Sequence, residues 1–259
     1  MIHRYHRDHA RTMPWRKTED PYRVLVSEFM LQQTQVERVL GKYPSFIEAF
    51  PDFHSLADAS LKVVLSLWQG LGYNRRAVNL WKTAQLVVEE HYGNLPDSPD
   101  ELIQLPGIGR ATAGAIRAFA FNRPVVFIET NIRRAFIHHF FQDRMDVRDR
   151  EILPLVEETL DHENPRQWYY ALMDYGAMLG RLPSNPNRRS AHYARQTPFE
   201  GSDRQVRGRV IGALLEQGRL TGKGLSSQLN IEGDRLRTIL AGLEKDGLVV
   251  RAGTGYRLP

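Results

Sequence analysis

Three stretches of the sequence carry groups fit for chemistry. In VVFIETNIRRAF, positions 125 to 136, four apolar residues run into a lone carboxylate, Glu129, which is followed by a polar pair and two arginines. In VLVSEFMLQQ, Glu28 has apolar neighbours on several sides, and such surroundings raise a carboxyl's pKa toward the range where it can donate a proton at neutral pH. In LPGIGR, Gly107 and Gly109 join two helical patterns and let the backbone be approached without a Cβ in the way. The N–H groups of that turn, and the positive end of the helix starting near Arg110, can face a phosphate oxygen. Taken alone, the turn is equally an ordinary helix connection.

Other chemistries are excluded by composition. The 259 residues contain no cysteine, so disulfides, thiolate metal sites and cysteine-ligated iron–sulfur clusters are ruled out. His138 and His139 are adjacent and so point to different sides of a helix, which leaves no metal ligand set. The net charge of +5 fits a polyanionic partner but does not by itself require one. No apolar run approaches the roughly 20 residues of a membrane span. The basic start MIHRYHRDHARTMPWRK has no apolar centre, which points to a cytoplasmic protein.

The elements that must position these groups read as helices. In NRRAVNLWKTAQLVVEEHYG, apolar residues recur every three or four positions, with Asn74 to cap the start and Gly93 to close the end. SPDELIQLPGIG opens another helix, with Ser98 as N-cap, Pro99 next and Glu101 three residues after the cap. Similar patterns recur up to QWYYALMDYGAML, and nothing alternates with period two, so the class is mainly α. Periodicity lapses over GRLPSNPNRRSAHYARQTPFEGSDRQ, which reads as a linker. Three helices and a hairpin turning at Gly253 to Gly255 follow, the order of a winged helix-turn-helix.

The turn LPGIGR, the helix after it, and an acid twenty positions beyond Gly109 together resemble the helix-hairpin-helix DNA glycosylase superfamily. MPWRK…DPYRVLVSEFMLQQTQV, LWQGLGYNRRAVNL, LPGIGRATAGAI and ALMDYGAM are most similar to the adenine DNA glycosylases that act on mismatches. The resemblance covers roughly residues 5 to 180. It implies a two-lobed helix-hairpin-helix domain over 1–198 with the active site between lobes, and leaves 199–259 as a winged-helix-like domain. It implies catalytic roles for Glu28, which protonates the departing base, and for Glu129, which stands where the family's catalytic acid faces the flipped nucleotide. Gln33 matches the glutamine that enters the DNA stack, and Gly107, Gly109 and Arg110 form the phosphate-gripping hairpin. Trp15, Arg16, Leu31 and Tyr170 match positions at the base pocket. The chemistry fits: breaking an N-glycosidic bond leaves positive charge on the sugar and negative charge on the base, so two carboxylates in different environments are needed.

The sequence departs from that family at several points. The catalytic acid is usually Asp, and here it is Glu129, longer by about 1.5 Å. Ala111 stands where glycosylase-lyases carry a lysine, so no Schiff base is expected. Tyr170 replaces the Glu or Gln that reads the base edge in adenine-specific relatives. Gly180, Asn187, Ser190 and Gln196 occupy the positions of four cluster-binding cysteines, so that loop needs another brace, with Arg188, Arg189 and Arg195 as candidates to contact phosphate or, equally, as part of a solvated charged loop. The segment after 198 is too short for the nucleotide-hydrolase-like domain that recognises 8-oxoguanine. The expected protein is a monofunctional, cofactor-free glycosylase, monomeric, acting on double-stranded DNA with a mismatched or damaged base. Adenine opposite guanine or 8-oxoguanine is the first reading. The alternatives are thymine or uracil opposite guanine, and a DNA-binding protein that has lost catalysis.

Overall fold

The computed structural model describes residues 1–195 and 198–259 and is mainly helical. In chain order the elements are α1 (Ile2–His9), α2 (Pro21–Leu31), α3 (Val36–Leu40), α4 (Tyr43–Ala49), α5 (Phe53–Ala57), α6 (Leu61–Trp68), α7 (Arg75–His91) and α8 (Pro99–Leu102). They continue with α9 (Arg110–Phe119), α10 (Thr130–Phe140), α11 (Asp149–Glu158), α12 (Pro165–Gly180) and α13 (Asp203–Gln217). The C-terminal part adds β1 (Arg219–Thr221), α14 (Gly222–Leu229), α15 (Gly233–Lys245), β2 (Val250–Ala252) and β3 (Gly255–Arg257). Among the described residues, no helix is long and apolar enough to cross a membrane.

The chain divides into two compact units. The first comprises Met1–Glu28, Pro96–Gln104 and Ile108–Arg195. Its centre is the packing of α10 on α12, with α1 and α9 also laid against α12. The two central helices meet backbone to backbone: a Cβ added at Gly176 would lie 2.1 Å from the carbonyl oxygen of Asn131. Only glycine lets α12 come that close. Trp168, Tyr169, Leu172 and Leu179 supply the apolar face of α12.

The second unit comprises Phe29–Leu95, Leu105–Gly107 and the C-terminal segment from 198 onward. Here α7 is the central element, packed on α5 and α6 through Leu80, Ala84 and Val87. Asn74 holds the N-cap position of α7, but its side chain makes no capping bond. The far end closes with Tyr92 and Gly93 both in the left-handed region, where the Gly93 N–H reaches the Val87 carbonyl. In the first unit, Ser98 caps α8 by accepting from the Glu101 N–H, as its spacing predicts.

In the C-terminal part, the hairpin β2–β3 turns with Ala252 opposite Gly255. A further strand, β1, pairs antiparallel with β3 and gives the sheet order β1-β3-β2. The sequence reading lacks β1 because three residues are too few to show a period. This segment clusters with Phe29–Leu95 and does not stand apart from it. One anchor is Asp246, which pairs with Arg207 of α13 and with Arg75 of α7.

A buried guanidinium organises this unit. Arg76, 7 % exposed, donates through Nη1 to the carbonyls of Phe29 at 2.7 Å, Met30 at 2.9 Å and Gln32 at 2.5 Å. Its Nη2 donates to Thr34 Oγ1 at 2.9 Å and to the carbonyls of Leu71 and Gly72. The last carbonyls of a helix have no partner within it and carry partial negative charge, so a cation at the end of α2 meets both needs. Burial pushes the Arg76 pKa down to about 10, which leaves it charged at neutral pH. We expect Arg76→Met to strand these oxygens and lower the unfolding free energy by about 3 kcal/mol or more, measured by urea denaturation.

Candidate active site

Glu28 lies in α2 and is half-buried, with Val24, Leu25, Val26 and Ser27 buried beside it in the chain. Burial, then the charge of Glu129, pushes its carboxyl up to about 8, against the pull of Arg16. It therefore holds its proton at neutral pH. Both acids belong to the first unit, so the fold brings together two carboxylates that stand about a hundred positions apart in sequence.

Glu129 answers to different surroundings. It is the N-cap of α10, and its Oε1 accepts from the N–H groups of Asn131 at 2.7 Å and Ile132 at 3.0 Å. Its Oε2 receives the longer 3.3 Å contact from Asn131 Nδ2. Burial raises its pKa, and the amides of Ile132 and Asn131, with the charges of Arg134 and Arg133, pull the other way. Burial is the largest influence and leaves the Glu129 carboxyl raised, but hydrogen bonds to the charged form favour its ionisation, a support that Glu28 does not share. The extra methylene of Glu is absorbed locally, because the side chain folds back onto the N-terminus of its own helix. The acid at the end of an apolar run is thus a helix cap whose Oε2 is its less engaged oxygen.

Arg134 supports this arrangement. Its Nη1 donates to Asn131 Oδ1 at 2.7 Å and to the Gly176 carbonyl at 3.0 Å, which fixes the amide that faces Glu129. The sequence reading names neither Asn131 nor Arg134, although both lie in the quoted stretch. Their signal was a polar pair and two arginines directly after the acid.

Asp174 is the other residue the sequence reading missed. It is 2 % exposed on α12, and Arg16 Nη1 reaches both its oxygens at 2.9 Å, while Arg11 and His6 Nδ1 also bind it. Burial alone would raise its pKa, but hydrogen bonds and charge from Arg16 and Arg11 outweigh that and hold it below the usual carboxylate range. Asp174 thereby orients Arg16, whose guanidinium lies 4.5 Å from the centre of the Tyr170 ring. Tyr170 stacks on Phe119 at 4.8 Å with its ring nearly parallel, and burial pushes its phenol up to about 12. Trp15, on a short turn of Pro14–Arg16, is buried in the same unit.

The remaining sequence candidates fall elsewhere. Leu31 and Gln33 belong to the second unit, and Gln33 is exposed with φ +55°. Gly107, also of the second unit, has φ +81°, and a Cβ there would meet Asn79 and Phe29 within 3 Å, so only glycine fits. Gly109 is different. It caps α9 in the first unit with extended backbone, and a Cβ there would meet nothing within 4 Å. With Arg110 and Ala111 it is exposed, so the first turn of α9 offers its N–H groups to solvent.

The loop after α12 cannot hold a thiolate-ligated cluster. At Gly180 a Cβ would fall 2.4 Å from the Arg134 guanidinium, which would have to shift, while Asn187 and Ser190 offer an amide and a hydroxyl. Gln196 lies outside the described residues. The brace is made of hydrogen bonds: Val147 N–H donates to the Arg189 carbonyl and Ala191 N–H to the Val147 carbonyl, both at 2.9 Å. Arg189 itself donates to the carbonyls of Phe141, Gln142 and Ile137. It is therefore committed inside the fold and not free for phosphate, whereas Arg188 and Arg195 are exposed. Among the described residues, no group of three or more His, Cys, Asp or Glu side chains is placed to hold a metal ion.

The chain is 39 % identical over 186 residues to an adenine DNA glycosylase of Buchnera aphidicola subsp. Baizongia pistaciae, covering 70 % of this chain and 52 % of that protein. It is 35 % identical over 240 residues to an adenine DNA glycosylase of Mycobacterium tuberculosis, covering 81 % of this chain and 75 % of the relative. The chain spans about half the length of the Buchnera relatives it matches. In fold it is similar to a thermostable thymine-DNA glycosylase, with a TM-score of 0.63 at 22 % identity over 71 % of this chain and 87 % of that one. It is also similar to an endonuclease III–DNA covalent intermediate, with a TM-score of 0.57 at 19 % identity over 71 % and 84 %. Residues 26–156, which include both carboxylates, match the model of the HhH-GPD superfamily base excision DNA repair proteins, and the chain belongs to that family.

Proposed function

We propose that this chain is a monofunctional DNA glycosylase that hydrolyses the N-glycosidic bond of a flipped, mismatched base, with adenine opposite guanine or 8-oxoguanine as its substrate. The pairing of Glu28, whose carboxyl is pushed up to about 8, with Glu129, whose Oε1 accepts two amides at the start of α10, carries the reading. In this mechanism Glu28 gives its proton to the base as the C1′–N bond breaks, and the bonding pair leaves with the base. The Glu129 carboxylate stabilises the resulting positive charge on the sugar. Water then adds at C1′, and its proton returns to Glu28, which is ready for another turn.

Other residues take supporting parts. Gln33, on an exposed left-handed turn, wedges into the duplex while the base is extruded. The open amides at Gly109 and Arg110, with Gly107 shaping the turn before them, hold a phosphate. Trp15, Arg16, Leu31 and Tyr170 form the base pocket, and residues 199–259 act as a winged-helix-like domain. Ala111 offers a methyl group and no amine, which supports hydrolysis without strand cleavage. One observation favours a second reading: Tyr170 lacks the paired donor and acceptor of an amide, so thymine or uracil opposite guanine is the alternative substrate.

The test is single-turnover excision on duplexes with A, T or U opposite G and A opposite 8-oxoguanine, followed by alkali. Adenine release is expected, and pyrimidine release would transfer the protein to the second reading. No release from any duplex, with tight binding kept, would mark a binding protein. Glu28→Gln should keep DNA affinity and lower the single-turnover rate by about 10²- to 10⁴-fold. Glu129→Asp should retain the cap and fold but lose about a hundredfold in rate, since the carboxyl retreats by about 1.5 Å from a site built for the longer side chain.

The raised Glu28 pKa also sets pH dependence. The rate should hold up to about pH 8 and fall above it as the donor ionises. For stability, the unfolded chain loses this proton near pH 4.5 and the folded chain near 8, so the unfolded state binds fewer protons between those values. The group's contribution is therefore complete below pH 4.5 and is lost as pH rises toward 8, with a slope of at most about 1.4 kcal/mol per pH unit. Glu28→Gln should flatten that part of the profile in denaturation experiments at pH 5, 6.5 and 8.

A further inference from the structure

The three-stranded sheet of the second unit carries charge of one sign. Its strands and α14 lie within residues 219–231 and 247–259, which contain Arg219, Lys223, Arg251 and Arg257 and no Asp or Glu. In the ladder, Arg219 of β1 stands directly opposite Arg257 of β3, and both are exposed. Like charges directly opposite on neighbouring strands repel and lower stability, whereas an acid at either position would have made an ion pair. The ion pairs of the C-terminal part go to Arg207, Arg235, Arg237 and Arg251, and among the described residues they leave these two out. Arg257 donates to the Leu258 carbonyl at 2.8 Å, which neutralises nothing.

The Arg219 side chain is laid across the hairpin. Its Nη2 lies 2.9 Å from where a Cβ on Gly253 would stand, and its Nε 3.2 Å from where one on Gly255 would. Gly255 is already required by strand pairing, since that Cβ would also meet the Leu220 carbonyl at 2.8 Å. The bare backbone that pairing demands is thus also the bed of the guanidinium, whose place is set before any ligand arrives. Thr221, exposed, shares the face of Arg219 two residues along β1, and exposed Lys223 follows in the first turn of α14. The helix after it differs. On α15, Arg235 pairs with Asp203 and Arg237 with Asp234, so its exposed guanidiniums are already matched by acids.

We propose that the β1–β3 face, with Arg219 and Arg257 at its centre and Lys223 at its edge, is a separate contact to duplex DNA that holds the phosphate backbone and reads no sequence. The planar fork of arginine suits phosphate oxygens, and two unmatched forks on adjacent strands suit anions that are closely spaced. A polymer with a phosphate at every nucleotide supplies such anions, and the chain belongs to a family of base excision DNA repair proteins, which makes that polymer DNA. Backbone contacts fix position without carrying sequence, whereas base edges are read by side chains entering a groove. The guanidiniums of α15 are tied to acids instead. The inference rests on the family and is independent of which base is excised and of Glu28 and Glu129. It gives the C-terminal segment the task of keeping the protein on undamaged DNA.

The experiment uses the full chain and two undamaged duplexes of unrelated sequence, with Kd followed by fluorescence anisotropy as salt is raised. Each phosphate contact contributes about 0.9 to the slope of log K against log salt, so the double variant Arg219→Thr, Arg257→Thr should flatten that slope by about 1.8. Between about 50 and 200 mM salt the parent should therefore lose about tenfold more affinity than the variant, on both sequences alike. Threonine is a good strand former and removes the repulsion, so the variant should fold with a Tm equal to or above the parent's. Arg219→Lys with Arg257→Lys keeps both charges and should keep the slope, and Arg237→Ala on α15 should leave it unchanged. An unaltered slope in the double threonine variant, a loss confined to one sequence, or a larger effect from Arg237→Ala would overturn the proposal. Single-turnover excision at saturating protein is the separate readout, and the threonine variant should match the parent. Absence of excision from every duplex beside the flattened slope would sink the glycosylase reading and leave the backbone contact standing. Normal excision with an unaltered slope would do the reverse.

Discussion

The second unit depends on one buried cation that is satisfied by neutral oxygens. Arg76 gathers the carbonyls at the end of α2 and those of the loop before α7, so the turn bearing Gln33 and the turn bearing Tyr73 share one fastening. Taking a guanidinium out of water is expensive unless its donors are filled, and here five carbonyls and a hydroxyl within 3.3 Å fill them. The cost of burial is offset only when both turns are in place. Local order at the two turns is thereby coupled to the folding of the core beneath them.

In the first unit the governing constraint is electrostatic inequality. Two acids in one apolar setting would both resist ionisation, and the fold separates them by what each is given to bind. Glu129 receives amides at a helix start, while Glu28 receives a neighbouring negative charge and little else to stabilise its anion. The arginine that does approach Glu28 is itself drawn toward Asp174, which holds its guanidinium over the Tyr170 ring.

Much of this was legible in the sequence. Helix positions followed from three- and four-residue spacing, and the Ser98 cap and the hairpin turn at Gly253 to Gly255 stood where their residue types put them. Glu28 and Glu129 were readable as a pair only through the resemblance, because nothing in the spacing of residues a hundred positions apart says that they meet. Arg76 was hidden in plain view: it shares a face with Leu80, Ala84 and Val87, yet an arginine beside another arginine reads as a solvated charge. Asp174 likewise stood in a quoted motif, an acid amid apolar neighbours whose partners come from the far N-terminus. The β1 strand and the attachment of the C-terminal segment to Phe29–Leu95 depend on tertiary contacts that no local pattern carries.

The close contact at Gly176 has an evolutionary consequence. Because α12 touches the backbone of Asn131, the start of α10 is located by main-chain atoms, and the amides that bind the acid at position 129 arrive with the helix whatever that acid is. A lineage can therefore exchange one carboxylic acid for a longer one without rebuilding the cradle. The glycine opposite, a residue with no side chain, therefore decides where the acid stands, since any larger residue there would push the start of α10 and its amides away.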